Sequence, residues 1–198
     1  MRTSLIPTIL RRGLPVALLS LCAGAAADWT LVPEDSSLGF VSTKNGRIVE
    51  GHQFTGLAGS VSGSGAELIV DLSTVDTLIP IRDERMRELL FEVADHPRAR
   101  FRAAVEPGTV EALAVGESVR LDVAGELDLH GAVQPLRATL LVTRAAEDRV
   151  TVATTRPVVL SADAFALGAG IQRLREIAGL DSITPMVPVS FALGFARD

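Results

Sequence analysis

Apolar and polar residues alternate in short runs along most of this 198-residue chain. The clearest run is "SVRLDVAGELDLHG". There Val119, Leu121, Val123, Leu127 and Leu129 fall on one side, and Arg120, Asp122, Glu126, Asp128 and His130 on the other. Successive strand residues point to opposite faces, so a period of two marks a strand with one face buried. The pattern returns in Leu38 and Phe40, in Leu68, Val70 and Leu72, and in Phe101, Ala103 and Val105. It returns again in Leu136, Ala138, Leu140 and Val142, in Val150 and Val152, and in Val187, Val189, Phe191, Leu193 and Phe195. With "WTLVP" near residue 30, this makes about eight strands, joined by Gly/Ser turns such as "SVSGSGAE". Their outer faces need water and their inner faces need a shared interior. An antiparallel sandwich or closed barrel meets both demands, and a barrel leaves no edge strand.

Two segments depart from the period of two. In "IPIRDERMRELLFEVADHP", Met86, Leu89, Leu90 and Val93 are spaced as on a helix. Asp83 is placed to cap its N-terminus, Glu84 suits the first turn, and His96 and Pro97 end it. In Gly168–Ser182, Ile171, Leu174 and Ala178 mark a shorter amphipathic helix, with Gly179 as its stop. Mainly β structure with one or two short helices packed on a barrel is therefore expected.

The first residues read differently. Arg2, Arg11 and Arg12 precede an apolar stretch from Leu14 to Leu21, and Ala25 and Ala27 fit a cleavage site before Asp28. This is a secretory signal, too short in its apolar part to span a bilayer. The segment lacks the rest of a twin-arginine pattern, and Leu21 stands where a lipidated Cys22 would follow a small residue. Plain export to the periplasm is expected, with residues 1–27 as signal and 28–198 as one domain. Cleavage removes the single cysteine and three arginines and no acid, leaving 16 basic and 24 acidic side chains, net −8. That balance argues against nucleic acid and against electrostatic docking to anionic lipid.

Catalytic candidates fail individually. No G-x-S-x-G elbow, P-loop or H-E-x-x-H is present, and no cysteine survives processing. Glu50-x-His52 and Asp128-x-His130 could each share a strand face and meet at a metal, but two-residue spacing is a weak signal and surface histidines near strand ends are the plainer reading. Neither a catalytic residue nor a metal ligand is assigned. Arg82 reads as a brace for its helix or as a cation at a cavity mouth, placed for an anionic head group. A barrel of this size can hold a ligand or fill itself; periodicity alone favours the filled core.

Several stretches in order then resemble the YceI-like family of exported, polyisoprenoid-binding proteins. They are "WTLVPEDSSLGF", "FTGLAGSV", "VDLSTVDTLIPIRDERMRELLFEVADHPRARF", "GELDLHGAVQPL" and "SADAFALG", spanning nearly all of Trp29–Phe195. The resemblance implies a lipocalin-like barrel around an apolar cavity, without catalytic residues or a cofactor, holding an isoprenoid chain of quinone or polyprenyl phosphate type. It tips the balance from filled core to cavity. The lining expected is Leu38, Phe40, Leu68, Val70, Phe101, Val105, Leu121, Val123, Leu127, Leu129, Leu140, Val142, Val189, Phe191 and Leu193, with Arg82 as head-group candidate. The partner implied is an apolar lipid, with transient contact to a membrane or membrane protein. The segment "GRIVEGHQF" is expected as a long polar loop, Gln134 departs from the family pattern, and the 168–182 insertion is placed to reshape or plug the cavity. A filled barrel serving as an interaction module, or a metal protein using His52 and His130, are the alternatives.

Overall fold

A computed structural model describes residues 29–63, 65–106 and 108–197; residues 1–27, expected from the sequence to be a secretory signal, lie outside the described residues. The strands are β1 (Trp29–Lys44), β2 (Ile48–Phe54), β3 (Leu57–Ser62), β4 (Gly65–Asp71), β5 (Val75–Asp76), β6 (Arg98–Ala103), β7 (Ser118–Leu129), β8 (Ala132–Ala146), β9 (Arg149–Thr154), β10 (Val158–Ser161) and β11 (Met186–Ala196). The helices are α1 (Pro80–Arg85), continued by a wide π-type turn over Met86–Leu90, and α2 (Gly168–Ile177).

The sheet is antiparallel throughout, in the order β10-β11-β9-β8-β7-β6-β4-β3-β1-β2-β5, and β11 pairs back on β1 to close it. β2 and β3 face successive parts of β1 and act as one bent strand; β9 and β10 do the same along β11. The closed wall is thus eight strands around, as the alternation predicts.

The wall closes through an irregular β1. Its register on β11 shifts between Val32 and Ser37. The Ser36 hydroxyl donates to the Val32 carbonyl at 2.7 Å and accepts the Gly194 N–H at 3.0 Å, so one side chain satisfies the backbone groups that the bulge leaves out of the ladder. A Cβ at Gly194 would stand 2.6 Å from that of Asp35, so only glycine fits beside the bulge.

Three expectations are corrected. "WTLVP" and "SSLGFVST" are one continuous strand rather than two. "GRIVEGHQF" is not a loop: Ile48–Phe54 forms β2, paired with β1 from Leu38↔Phe54 to Lys44↔Ile48. Its pattern is inverted, with Val49 exposed and His52 buried, so that Glu50 and His52 lie on the inward side of the strand. Asp83 does not cap α1. Pro80 takes the first helical position after Ile79, where its missing N–H costs nothing, and Asp83 lies inside the helix. Its buried carboxylate accepts the Thr77 N–H at 2.9 Å and the Thr77 hydroxyl, tying the helix to the strand that precedes it.

Candidate functional site

The barrel is hollow toward one end and filled toward the other. Trp29, Leu31, Val150 and Phe195 occupy the filled end and are almost fully buried. The Trp29 indole N–H donates to Glu111 at 3.2 Å, and the Arg197 guanidinium lies 4.8 Å above its ring. Cation, ring and carboxylate seal the bottom of the barrel.

The other half encloses a cavity. Counted as room for the centres of water-sized molecules its volume is about 190 Å³; all the free space between its walls and at its opening comes to about 1250 Å³. Every residue lining it is Leu, Phe, Val, Ala or Ile. Water gains no hydrogen bond from such a wall, and apolar cavities of this kind stay dry. At roughly 24 cal/mol per Å³, an empty void of this size forgoes about 4–5 kcal/mol of packing. An apolar occupant recovers that loss.

Of the residues expected to line a cavity, Leu38, Phe40, Leu68, Val70, Phe101, Val123, Leu127, Leu129, Leu140, Val189 and Phe191 do so. Four do not. β6 ends at Ala103, so Val105 falls in the following loop, beside Trp29 and Val61 outside the cavity. Leu121, Val142 and Leu193 belong to the packed core instead, on parts of β7, β8 and β11 nearer the filled end. Alternation finds the inward face but not the depth along the barrel axis.

Further strand residues such as Phe54, Ala138 and Leu160 complete the strand part of the wall, and the segments that interrupt the strands supply the rest. The π-type turn is closed by Phe91 N–H donating to the Met86 carbonyl at 2.9 Å, five residues back, and both Leu90 and Phe91 line the cavity. Phe165, Leu167 and Ile171 line it from the turn before α2 and from α2 itself. α2 lies close on the π-type turn: a Cβ at Gly170 would meet the Leu89 carbonyl oxygen at 2.5 Å and the Leu90 Cα at 2.8 Å. The chain after α2 is tied to the β1–β2 turn, where Asn45 Oδ1 accepts the N–H groups of Asp181 and Ser182 at 2.9 and 3.2 Å. Gly179, at φ +62°, ends α2 as its sequence position predicts. The insertion thus forms part of the cavity wall and does not occupy the space. These contributors lack a period of two, and only Leu90 and Ile171 carried a helical signal.

Arg82 does not line the cavity. Its Nε and Nη2 donate to the Thr77 hydroxyl and carbonyl at 2.8 and 2.7 Å, and Nη1 pairs with Glu50 at 2.9 Å. All three nitrogens of the guanidinium take part in bracing β2 to the start of α1. Glu50 is shared with Lys44, and this contact, then Arg82, holds its carboxyl below the usual range. Asp76 is lowered too, by hydrogen bonds from Gln53 at 3.0 Å and the Leu78 N–H at 2.9 Å.

The histidines are also placed differently from expectation. His52 is buried, not superficial: its Nε2 meets the Ser42 hydroxyl at 2.8 Å and its ring packs on Phe40, with centroids 5.1 Å apart. Burial lowers its pKa below the ordinary value, and the nearby Arg82 cation adds to the effect. His130 has other partners, Glu92 and His96, so His52 and His130 share no site.

A closed antiparallel barrel with an all-apolar cavity at one end defines a lipocalin-like binding architecture. Residues 29–195 match the model of the YceI-like domain, and the chain belongs to that family. The chain is similar to a polyisoprenoid-binding domain from Saccharophagus degradans implicated in plant cell wall breakdown. The two share 37% identity over 88% of this chain and 99% of that one, with a TM-score of 0.84. BcnA from Burkholderia cenocepacia shares the fold, at 18% identity over 83% and 98% of the two chains and a TM-score of 0.62. No curated protein sequence matches the chain.

Proposed function

We propose that this protein is an exported, non-catalytic carrier or scavenger of an apolar lipid, of isoprenoid type, held in the barrel. The observation that carries the reading is the cavity: about 190 Å³ without a polar side chain in its wall. Burial at about 25 cal/mol per Å² drives binding, and a branched wall of Leu, Val and Phe suits a methyl-branched chain better than a polar ligand. The polyisoprenoid-binding relative supports the ligand class, and the signal-like residues 1–27 support the periplasm as its place. Loading needs contact with a lipid source. Among the described residues no helix is long and apolar enough to cross a membrane. Leu78, Ile79 and Ile81, just before the cavity-lining π-type turn, expose their side chains and suit transient contact with an apolar surface.

Protein purified from its native host, extracted with organic solvent and analysed by mass spectrometry should release an isoprenoid lipid near one equivalent. Stripped protein should take up ubiquinone or a polyprenyl phosphate from vesicles. Failure of both arms would overturn the reading.

A further inference from the structure

Glu92, His96 and His130 stand together at the hollow end, although the sequence separates them. Each offers a donor atom, and the three atoms lie within 4.8 Å of one another. His130 Nε2 is 3.0 Å from Glu92 Oε2, and the rings of His96 and His130 are 4.4 Å apart. We infer that these three side chains form a binding site for a divalent transition-metal ion of the zinc class.

The backbone builds this cluster from two turns. The His96 N–H donates to the Glu92 carbonyl at 2.9 Å, which folds Glu92 and His96 into one turn. His130 and Gly131 form the two-residue link between β7 and β8, both with positive φ (53° and 75°), as in a type I′ hairpin. A Cβ at Gly131 would stand 3.2 Å from the His96 ring, so the glycine lets that ring approach the hairpin. Glu92 is itself at φ +47°. Two of the three donors therefore sit in a conformation that non-glycine residues adopt at a cost.

The donor set fits the chemistry. Zinc takes imidazole nitrogen and carboxylate oxygen, with three protein ligands and an open position in sites that bind something further. Tetrahedral ligands at about 2.0–2.1 Å from the ion lie about 3.3 Å from each other. The Glu92–His130 pair is already at that spacing, and His96 closes the remainder by a small side-chain movement. The His130 side chain is 11% exposed and that of Glu92 56%, so an ion would meet one largely shielded wall and one open to water. Phe91 and Leu129, next in sequence to Glu92 and His130, line the cavity, so the ion would stand at its rim.

The test uses the mature chain, stripped with EDTA and titrated with Zn²⁺ against a chromophoric chelator, with Co²⁺ absorption as a second readout. Wild type should bind one equivalent, with affinity falling as pH drops because ligation needs deprotonated imidazole. Loss of outer-shell partners alone typically costs about 10–100-fold in metal affinity, so His96→Ala, Glu92→Gln and His130→Asn should each weaken binding by at least tenfold. Asn tolerates positive φ, so His130→Asn keeps its hairpin, and matching circular dichroism and melting curves confirm the fold. His52→Gln should bind as wild type does. Wild-type affinity no better than that of the three variants would leave Glu92–His130 as a plain hydrogen-bonded pair and overturn the inference. So would unchanged affinity in folded His96→Ala.

Discussion

A single buried histidine gives this barrel a pH dependence that its surface would not. His52 is 8% exposed, and its Nδ1 is buried with no hydrogen-bond partner among the described residues. Burial first, then the Arg82 cation, keeps its folded pKa below the ordinary 6.5 that it regains on unfolding; Lys44 acts in the same sense, and Glu50 and Asp83 oppose. Between those two values the unfolded chain binds more protons than the folded one. Stability from this group is therefore complete above pH 6.5 and is lost as pH falls below it, until the folded pKa is reached. The depressed Glu50 acts in a separate window, with its stability lost only as pH falls below its ordinary 4.5. Urea melts of wild type between pH 7 and pH 5.5 should show a falling midpoint. His52→Gln keeps a polar group for Ser42 and removes the titration, so its midpoint should fall less over that range. His96 and His130 are common to both proteins, so the difference between the slopes isolates His52. Parallel slopes would mean that the ring is not held neutral by burial.

At the level of elements, what the sequence reveals depends on whether a segment obeys a simple period. β7, β8 and β11 alternate cleanly and were legible over nearly their whole length. β2 reads as a loop in the sequence because it turns His52 and Glu50 toward the inside and leaves Val49 outside, where water meets 64% of it. The polar inner face is affordable only because Ser42, Lys44 and Arg82 supply its partners, and no local pattern announces partners up to 32 residues away. Arg82 stands out in the sequence by its position, and its bracing partners Thr77 and Glu50 are equally unannounced by any local pattern. The packing of α2 on the π-type turn was equally invisible, since it hangs on one glycine. Gly170→Ala puts a methyl carbon where the Leu89 carbonyl oxygen and Leu90 Cα already stand, and backbone cannot rotate aside. Overpacking of this kind costs about 1–3 kcal/mol, even though alanine is the better helix former. The variant should melt several degrees lower and lose bound lipid faster, because the displaced α2 carries Ile171 out of the cavity wall. A melting point at or above that of wild type would show that the two segments are free to separate.

Across the whole molecule, the two halves of the barrel use the same residues for different ends. Leu193 and Phe191 are two residues apart on one face of β11, yet Leu193 lies in the packed core and Phe191 lines the cavity. The difference is whether the strand opposite supplies a side chain to fill the space or leaves it open, and a period of two carries no information about that. Mutations should separate the halves. Leu193→Ala removes a side chain that is 5% exposed in close packing, and such truncations cost about 2–5 kcal/mol, so unfolding by denaturant should move accordingly while lipid capacity per folded molecule is kept. Ala138→Phe acts in the opposite way. Ala138 is among the smallest residues of the cavity wall, and a ring there enters existing space instead of displacing packed neighbours. The lipid-free variant should be no less stable than lipid-free wild type, since the ring recovers part of the contact that the void forgoes. Its lipid uptake from vesicles should fall at least tenfold, because ring and chain compete for one volume. If Ala138→Phe instead unfolds the barrel while Leu193→Ala is harmless, the assignment of hollow and filled ends is reversed, and the binding site must be sought on the other side of the molecule.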